Sequence, residues 1–150
     1  MINKQRLRRL LAPKSIAVFG SRGADFAIRE SLAMGFEGPI WSVHPQREQL
    51  MGIKCLQSVT DLPQAPDAAY VAVNAESAIS TVAQLNEMGA GGALLYASGF
   101  SELSDELKIV GLDRQQRLIA AAGDMPIIGP NCYGVINALD RAVLWPDQHG

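Results

Sequence analysis

The stretch Ser15-Ile-Ala-Val-Phe-Gly-Ser-Arg-Gly-Ala-Asp-Phe-Ala-Ile-Arg-Glu-Ser-Leu-Ala-Met-Gly-Phe36 decides the fold. Its first five residues, Ser15 to Phe19, form a short apolar run stopped by Gly20, the pattern of a strand buried on both faces. A glycine-bearing turn follows, and then a helix over Asp25 to Met34. Ile28, Leu32 and Phe36 recur there at i, i+4 and i+8, and Gly35 is placed to end the helix. Strand, tight turn and amphipathic helix together make the opening unit of a layered α/β arrangement.

The same alternation continues outward in both directions. Upstream, Lys4 to Leu11 predicts a short helix with Leu7, Leu10 and Leu11 on one side and the arginines towards water, ended by Pro13. Downstream, Pro39 to Val43 is a second strand, Gly52 to Leu56 a short one, and Ser58 to Leu62 a helical turn. Asp67 to Val73 is a third full strand, and Asn74 is placed to cap a helix over Ala75 to Met88 with Glu76 in its first turn. Ala78, Ile79, Val82, Leu85 and Met88 form the expected buried stripe. Gly92 to Tyr96 is the next strand, Leu103 to Ala122 a helix weakened at Gly111, and Pro126 to Ile128 a fifth strand. The turn Gly129-Pro-Asn-Cys-Tyr-Gly134 leads to a last strand, Val135 to Asn137. Apolar strands alternating with helices predict a single α/β domain, a doubly wound parallel sheet of Rossmann-like kind. Residues 1–13 are expected to be an N-terminal helix, 14–140 the domain, and 141–150 a linker without periodicity.

Composition agrees with one soluble core. Of 150 residues, 48% are hydrophobic and 19% charged, too apolar for disorder. Thirteen basic against fifteen acidic residues give net charge -2, which argues against a nucleic-acid partner. No apolar run approaches the roughly 18 residues that span a bilayer, so no membrane role is expected. The basic N-terminus has no apolar segment after it and does not read as a secretory signal. Cys55 and Cys132 lie far apart, in no metal-binding or redox spacing, and the expected compartment is the cytoplasm.

In an open parallel sheet, ligands sit where loops leave the carboxyl ends of the strands. The first such loop, Gly20-Ser21-Arg22-Gly23, offers backbone N–H groups, a helix N-terminus and a cation to a phosphate. The spacing is GxxG rather than GxGxxG, so a simple tight turn is the competing reading. After strand two the chain runs Val43-His44-Pro45-Gln46-Arg47, where an NAD site would carry an acid; none appears before Glu48. Arg47 suits a ribose phosphate, the 3′-phosphate of CoA or the 2′-phosphate of NADP, with a solvated surface arginine as the alternative. His44 reads as a residue holding its own loop, with adenine stacking as the other option. Trp41 and Cys132 read as structural, and Asn131 either as a turn residue or as a contact to phosphate or a partner loop.

Several fragments together carry a resemblance. They are Leu11-Ala-Pro-Lys-Ser-Ile-Ala-Val-Phe-Gly20, Gly35-Phe-Glu-Gly-Pro-Ile40, Val43-His-Pro-Gln-Arg47, Gly52-Ile-Lys-Cys55, Ser98-Gly-Phe-Ser-Glu102 and Ile128-Gly-Pro-Asn-Cys-Tyr-Gly-Val-Ile-Asn137. In these the chain resembles the CoA-binding domain of NDP-forming acyl-CoA synthetases, which include ADP-forming acetyl-CoA synthetase and the succinyl-CoA synthetase alpha subunit. It is similar, too, to the N-terminal region of related protein lysine acetyltransferases. The resemblance implies that Gly20, Ser21, Arg22 and Gly23 hold the CoA diphosphate, and that Pro45 and Arg47 meet the adenosine phosphate. It implies a pantetheine path along Val73, Asn74, Ala75, Ala97, Ser98 and Gly99, with Asn131 towards the site of a phosphorylated histidine. One departure is the first loop, shorter than the family's, with Asp25 close by.

The implied reaction joins acid, CoA and ATP into acyl-CoA, ADP and phosphate through an acyl phosphate and a phosphohistidine. By resemblance the histidine and ATP-grasp domains are partners in cis or trans, so this chain is expected to bind CoA or acyl-CoA without turnover. Two alternatives stay open at this stage: a stand-alone CoA-responsive regulatory module, and an NADP-binding oxidoreductase fragment.

Overall fold

The computed structural model describes residues 3–20 and 22–148. It contains helices α1 (Lys4–Leu11), α2 (Ala24–Ala33), α3 (Ala75–Met88) and α4 (Lys108–Ala122). Its strands are β1 (Ile16–Gly20), β2 (Ile40–Val43), β3 (Gln49–Leu50), β4 (Ile53–Leu56), β5 (Ala68–Ala72), β6 (Gly92–Leu95), β7 (Ile127–Ile128), β8 (Val135–Asn137) and β9 (Ala142–Leu144). The main sheet runs β3-β4-β2-β1-β5-β6-β7, and every pairing is parallel except the antiparallel β3–β4 edge. The doubly wound α/β sheet expected from the order of elements is therefore the fold. Strand order reverses at β1, which lies between β2 and β5 with all five residues buried. That reversal places the crevice.

Each face of the sheet has its own core. On one side Ala17, Phe19, Val71 and Leu95 meet Val82, Leu85 and Leu118 of α3 and α4. On the other Ile16, Val18, Tyr70 and Leu94 meet Leu10 of α1, Ala24, Ala27 and Ile28 of α2, and Leu144 of β9. The segment from Leu103 to Ala122 is mostly helical, as expected, but in two pieces. A 3-10 turn at Asp105–Leu107 comes first, and α4 starts only at Lys108. Gly111 is buried because a Cβ there would stand 2.1 Å from the Phe100 carbonyl oxygen. The glycine that weakens the helix locally is what lets it lie against the loop.

Three expectations fail for physical reasons. The α1 arginines do not all face water: Arg6 and Arg9 reach across to the end of α3. Arg6 donates to the carbonyls of Ala90 (2.8 Å) and Asn86 (3.0 Å), and Arg9 to that of Gly89 (2.9 Å) and to Asp67 Oδ1 (2.6 Å). Carbonyls at a helix C-terminus lack intrahelical partners and attract cations. In α2, Leu32 is 51% exposed while Ser31 is fully buried. Finally, residues expected to be a linker from Arg141 contain β9, which pairs antiparallel with β8 and is buried against α2. The Ser31 hydroxyl donates to the Val143 carbonyl (2.9 Å) and accepts from its N–H (3.0 Å), using the two ladder groups that β8 leaves free.

Candidate functional site

Two cavities of about 560 Å³ each lie at the carboxyl ends of the strands, one on either side of the end of β5. Ala72, Val73 and Asn74 form the ridge between them and line both. The first also has Arg22, Ala75, Glu76, Tyr96, Ala97, Ser98 and Arg114 on its walls. The second is lined by Gly20, Val43, His44, Pro45, Ser58, Val59, Thr81 and others. A third cavity, about 710 Å³, adjoins the second through Gln46 and Gln57 and holds Arg47 and Lys54.

Local chemistry explains the ridge. Gly20 ends β1 at φ +105°, and a Cβ there would stand 2.3 Å from the Ala72 carbonyl oxygen. Only glycine lets the first loop turn this close to β5. Asn74 caps α3 as expected, its Oδ1 accepting from the Ser77 N–H at 2.9 Å. His44 holds its own loop: Nδ1 accepts from the N–H groups of Gln46 and Arg47, each at 3.1 Å.

The site residues expected from sequence divide into groups. Gly20, Pro45, Val73 and Asn74 line the second cavity, and Arg22, Val73, Asn74, Ala75, Ala97 and Ser98 the first. Arg47 stands in the adjoining cavity, whose walls also carry Lys54 and Glu48. Ser21 lies outside the described residues. Gly23, Gly99 and Asn131 do not appear among the lining residues of any of these three. Gly23 is buried, and its N–H is already taken by Asp25 Oδ1 at 3.1 Å. Gly99 donates its N–H to Glu102 and accepts at its carbonyl from Arg114 at 3.2 Å. Burial opposes the charge on Glu102, yet the N–H groups of Gly99 and Phe100 outweigh it and hold its carboxyl below the ordinary range. Asn131, at φ +52°, donates its N–H to the Ala97 carbonyl at 2.8 Å, which ties the turn after β7 to the loop after β6.

Three wall residues escaped the sequence reading. Glu76, Arg114 and Tyr96 all border the first cavity. Glu76 accepts from Arg117 (2.8 and 2.9 Å) and from Arg114 (2.9 Å), bonds that push its pKa down to about 2. Arg114 is thus committed to Glu76 and Gly99. Among the described residues no hydrogen bond or ion pair engages the side chain of Arg22. It is the uncommitted cation on the wall of the first cavity. Tyr96 is the first residue beyond β6 and Glu76 stands in the first turn of α3, both within reach of a search of strand ends, but Arg114 comes from the middle of a helix.

Residues 14–138 match the family model described as CoA binding domain. The chain belongs to the CoA-binding domain family. Its likeness to a trans-feruloyl-CoA synthase from an unidentified prokaryote is 37% identity over 149 residues, covering 95% of this chain and 20% of that protein. It is 35% identical to an ADP-forming acetate–CoA ligase of Archaeoglobus fulgidus, over 87% of this chain and 20% of that one. Among solved structures, the apo form of acetyl-coenzyme A synthetase 1 from Candidatus Korarchaeum cryptofilum superposes with TM-score 0.81 at 27% identity, over 93% of this chain and 31% of that one. The CoA-binding domain therefore spans about a fifth to a third of the proteins it matches. No helix among the described residues is long and apolar enough to cross a membrane.

Proposed function

We propose that one CoA molecule lies across the ridge. Its adenosine occupies the second cavity against Val43, His44 and Pro45, with the 3′-phosphate towards Arg47 and Lys54. Its diphosphate passes Gly20 and Arg22, and its pantetheine crosses Asn74 into the first cavity beside Ala97 and Ser98. The observation that carries this reading is the shared wall. Two cavities of similar size meet at Ala72-Val73-Asn74, with Arg22 on one side and Arg47 beyond the other. A long ligand with phosphates near its middle and at one ribose fits that spacing of cations. The family match favours CoA over NADP.

In the larger protein, the proposed reaction is acid, CoA and ATP giving acyl-CoA, ADP and phosphate. The phosphate-forming and histidine-bearing domains are partners supplied in cis or trans. This chain supplies the platform that binds and orients CoA and is inactive alone. The free thiols Cys55 and Cys132 support a cytoplasmic setting.

Calorimetric titration with CoA, dephospho-CoA and NADPH tests the reading. CoA is expected to bind more tightly than the other two. Arg47→Ala is expected to cost about 1.5–3 kcal/mol for CoA, the range of a charge-assisted phosphate bond, and nothing for dephospho-CoA. Absence of heat with CoA at millimolar concentration, or preference for NADPH, would overturn it.

A further inference from the structure

All three tyrosines of the chain, and one of its two tryptophans, lie in one row. Tyr70, in β5, stacks beneath Tyr96, with ring centroids 6.4 Å apart and planes 28° apart. Tyr133 meets Tyr96 edge-on at 6.1 Å and Trp145 edge-on at 4.7 Å. The row starts in the core, where Tyr70 is fully buried, and emerges at the carboxyl end of the sheet. There Tyr96 is 38% and Tyr133 47% exposed, and Tyr96 forms part of the wall of the first cavity.

Packing alone accounts for the inner part of the row and not for the outer part. Tyr70 needs a ring above it, and Tyr96 supplies one. Tyr133 packs edge-on against Trp145, yet both outer tyrosines keep aromatic surface open, Tyr96 on the wall of the first cavity and Tyr133 edge-on beside it. The Tyr70 hydroxyl is buried with no hydrogen-bond partner among the described residues. Buried hydroxyls are paired as a rule, so this one marks an incomplete polar environment at the base of the row.

We propose that the outer face of this row, Tyr96 with Tyr133, receives the acyl group of a bound thioester, and that the class of acyl group it selects is aromatic. The proposal rests on the CoA reading above. With adenosine in the second cavity, the sulfur end of pantetheine must lie in the first, and the group it carries emerges against Tyr96. A flat ring there gains offset or edge-to-face contacts with two tyrosines, which an acetyl group is too small to share.

The test titrates this chain with CoA, acetyl-CoA and benzoyl-CoA and records saturation transfer to the benzoyl ring protons by NMR. Benzoyl-CoA is expected to bind about tenfold more tightly than acetyl-CoA, with strong transfer to its ring. Tyr133→Leu, outside the CoA-lining residues, is expected to lose that preference while keeping the affinity for CoA itself. Equal affinity for acetyl-CoA and benzoyl-CoA with no transfer to the ring, while CoA binds, would overturn the acyl proposal and leave the CoA site standing. No binding of CoA at all would overturn both, so the two failures are distinct. If Tyr133→Leu does not fold, ring transfer in the unaltered chain still decides.

Discussion

Replacing Ser31 by alanine removes one oxygen, and the structure lets its effect be worked out. Ser31 and Val143 are both fully buried. The serine hydroxyl is donor to the Val143 carbonyl and acceptor from its N–H, so it alone satisfies both outward ladder groups of β9 at that residue. Alanine leaves a buried donor and a buried acceptor without that partner. Each stranded group costs about 1–3 kcal/mol, so the expected loss is about 2–6 kcal/mol, a large part of a domain's usual stability of roughly 5–15 kcal/mol. Urea unfolding followed by circular dichroism measures it. Limited proteolysis reports whether the β8–β9 hairpin leaves first, by cleavage near Arg141. The neighbouring Leu32→Ala is the control, since that side chain is half in water and its loss is expected to matter by under about 1 kcal/mol. A Ser31→Ala loss below about 1 kcal/mol, or a larger one at Leu32, would refute the view that the tail is a docked part of the fold.

Three further outcomes are expected. Tyr70→Phe removes a buried hydroxyl that has no partner among the described residues, so thermal unfolding should show a neutral effect or a gain of about 1 kcal/mol; a loss above that would mean the hydroxyl is bonded in solution. Arg9→Ala strips three carbonyls and Asp67 of their donor and should cost about 2–4 kcal/mol by chemical denaturation, while exposed Arg8→Ala should cost almost nothing. The Glu76 carboxyl, lowered from 4.5 to about 2 by its arginines, contributes stability that is full above pH 4.5 and fades as pH falls towards 2. The melting-temperature difference between the wild type and Glu76→Gln should therefore shrink across that interval. A difference constant with pH would refute the pairing.

What was legible in the sequence were the features governed by local rules. The buried run Ile16 to Phe19, the cap at Asn74 and the left-handed stop at Gly35 follow from burial, hydrogen bonding and backbone sterics within a few residues. What stayed hidden were partnerships across the chain. Leu32 fits a helical stripe by spacing, but the surface over α2 is β9, which presents a polar backbone edge and asks for Ser31. Arg6 and Arg9 look like a solvated face because nothing nearby in sequence says that the end of α3 will stop beside them, some 80 residues on. The site divides in the same way. Loop residues at strand ends were found by topology, whereas Arg114, fixed by an ion pair 38 residues away in sequence, was not.

The short first loop brings these strands together. In doubly wound folds the first helix offers an anion its N-terminal N–H groups. Here Asp25 already accepts from Gly23 N–H, so a carboxylate stands where a phosphate would otherwise be held by backbone. That carboxylate offsets part of the positive field of the helix end, so under the CoA proposal the attraction for a diphosphate falls mainly on the side chain of Arg22, which no group among the described residues engages. Side-chain charge at an exposed rim is screened by salt, unlike buried backbone donors. If CoA lies across the Asn74 ridge as proposed, its affinity should weaken steeply between low and physiological ionic strength, and Arg22→Ala should flatten that dependence. Persistence of the full salt dependence in Arg22→Ala would assign the diphosphate to backbone donors instead, and would remove Arg22 from the site.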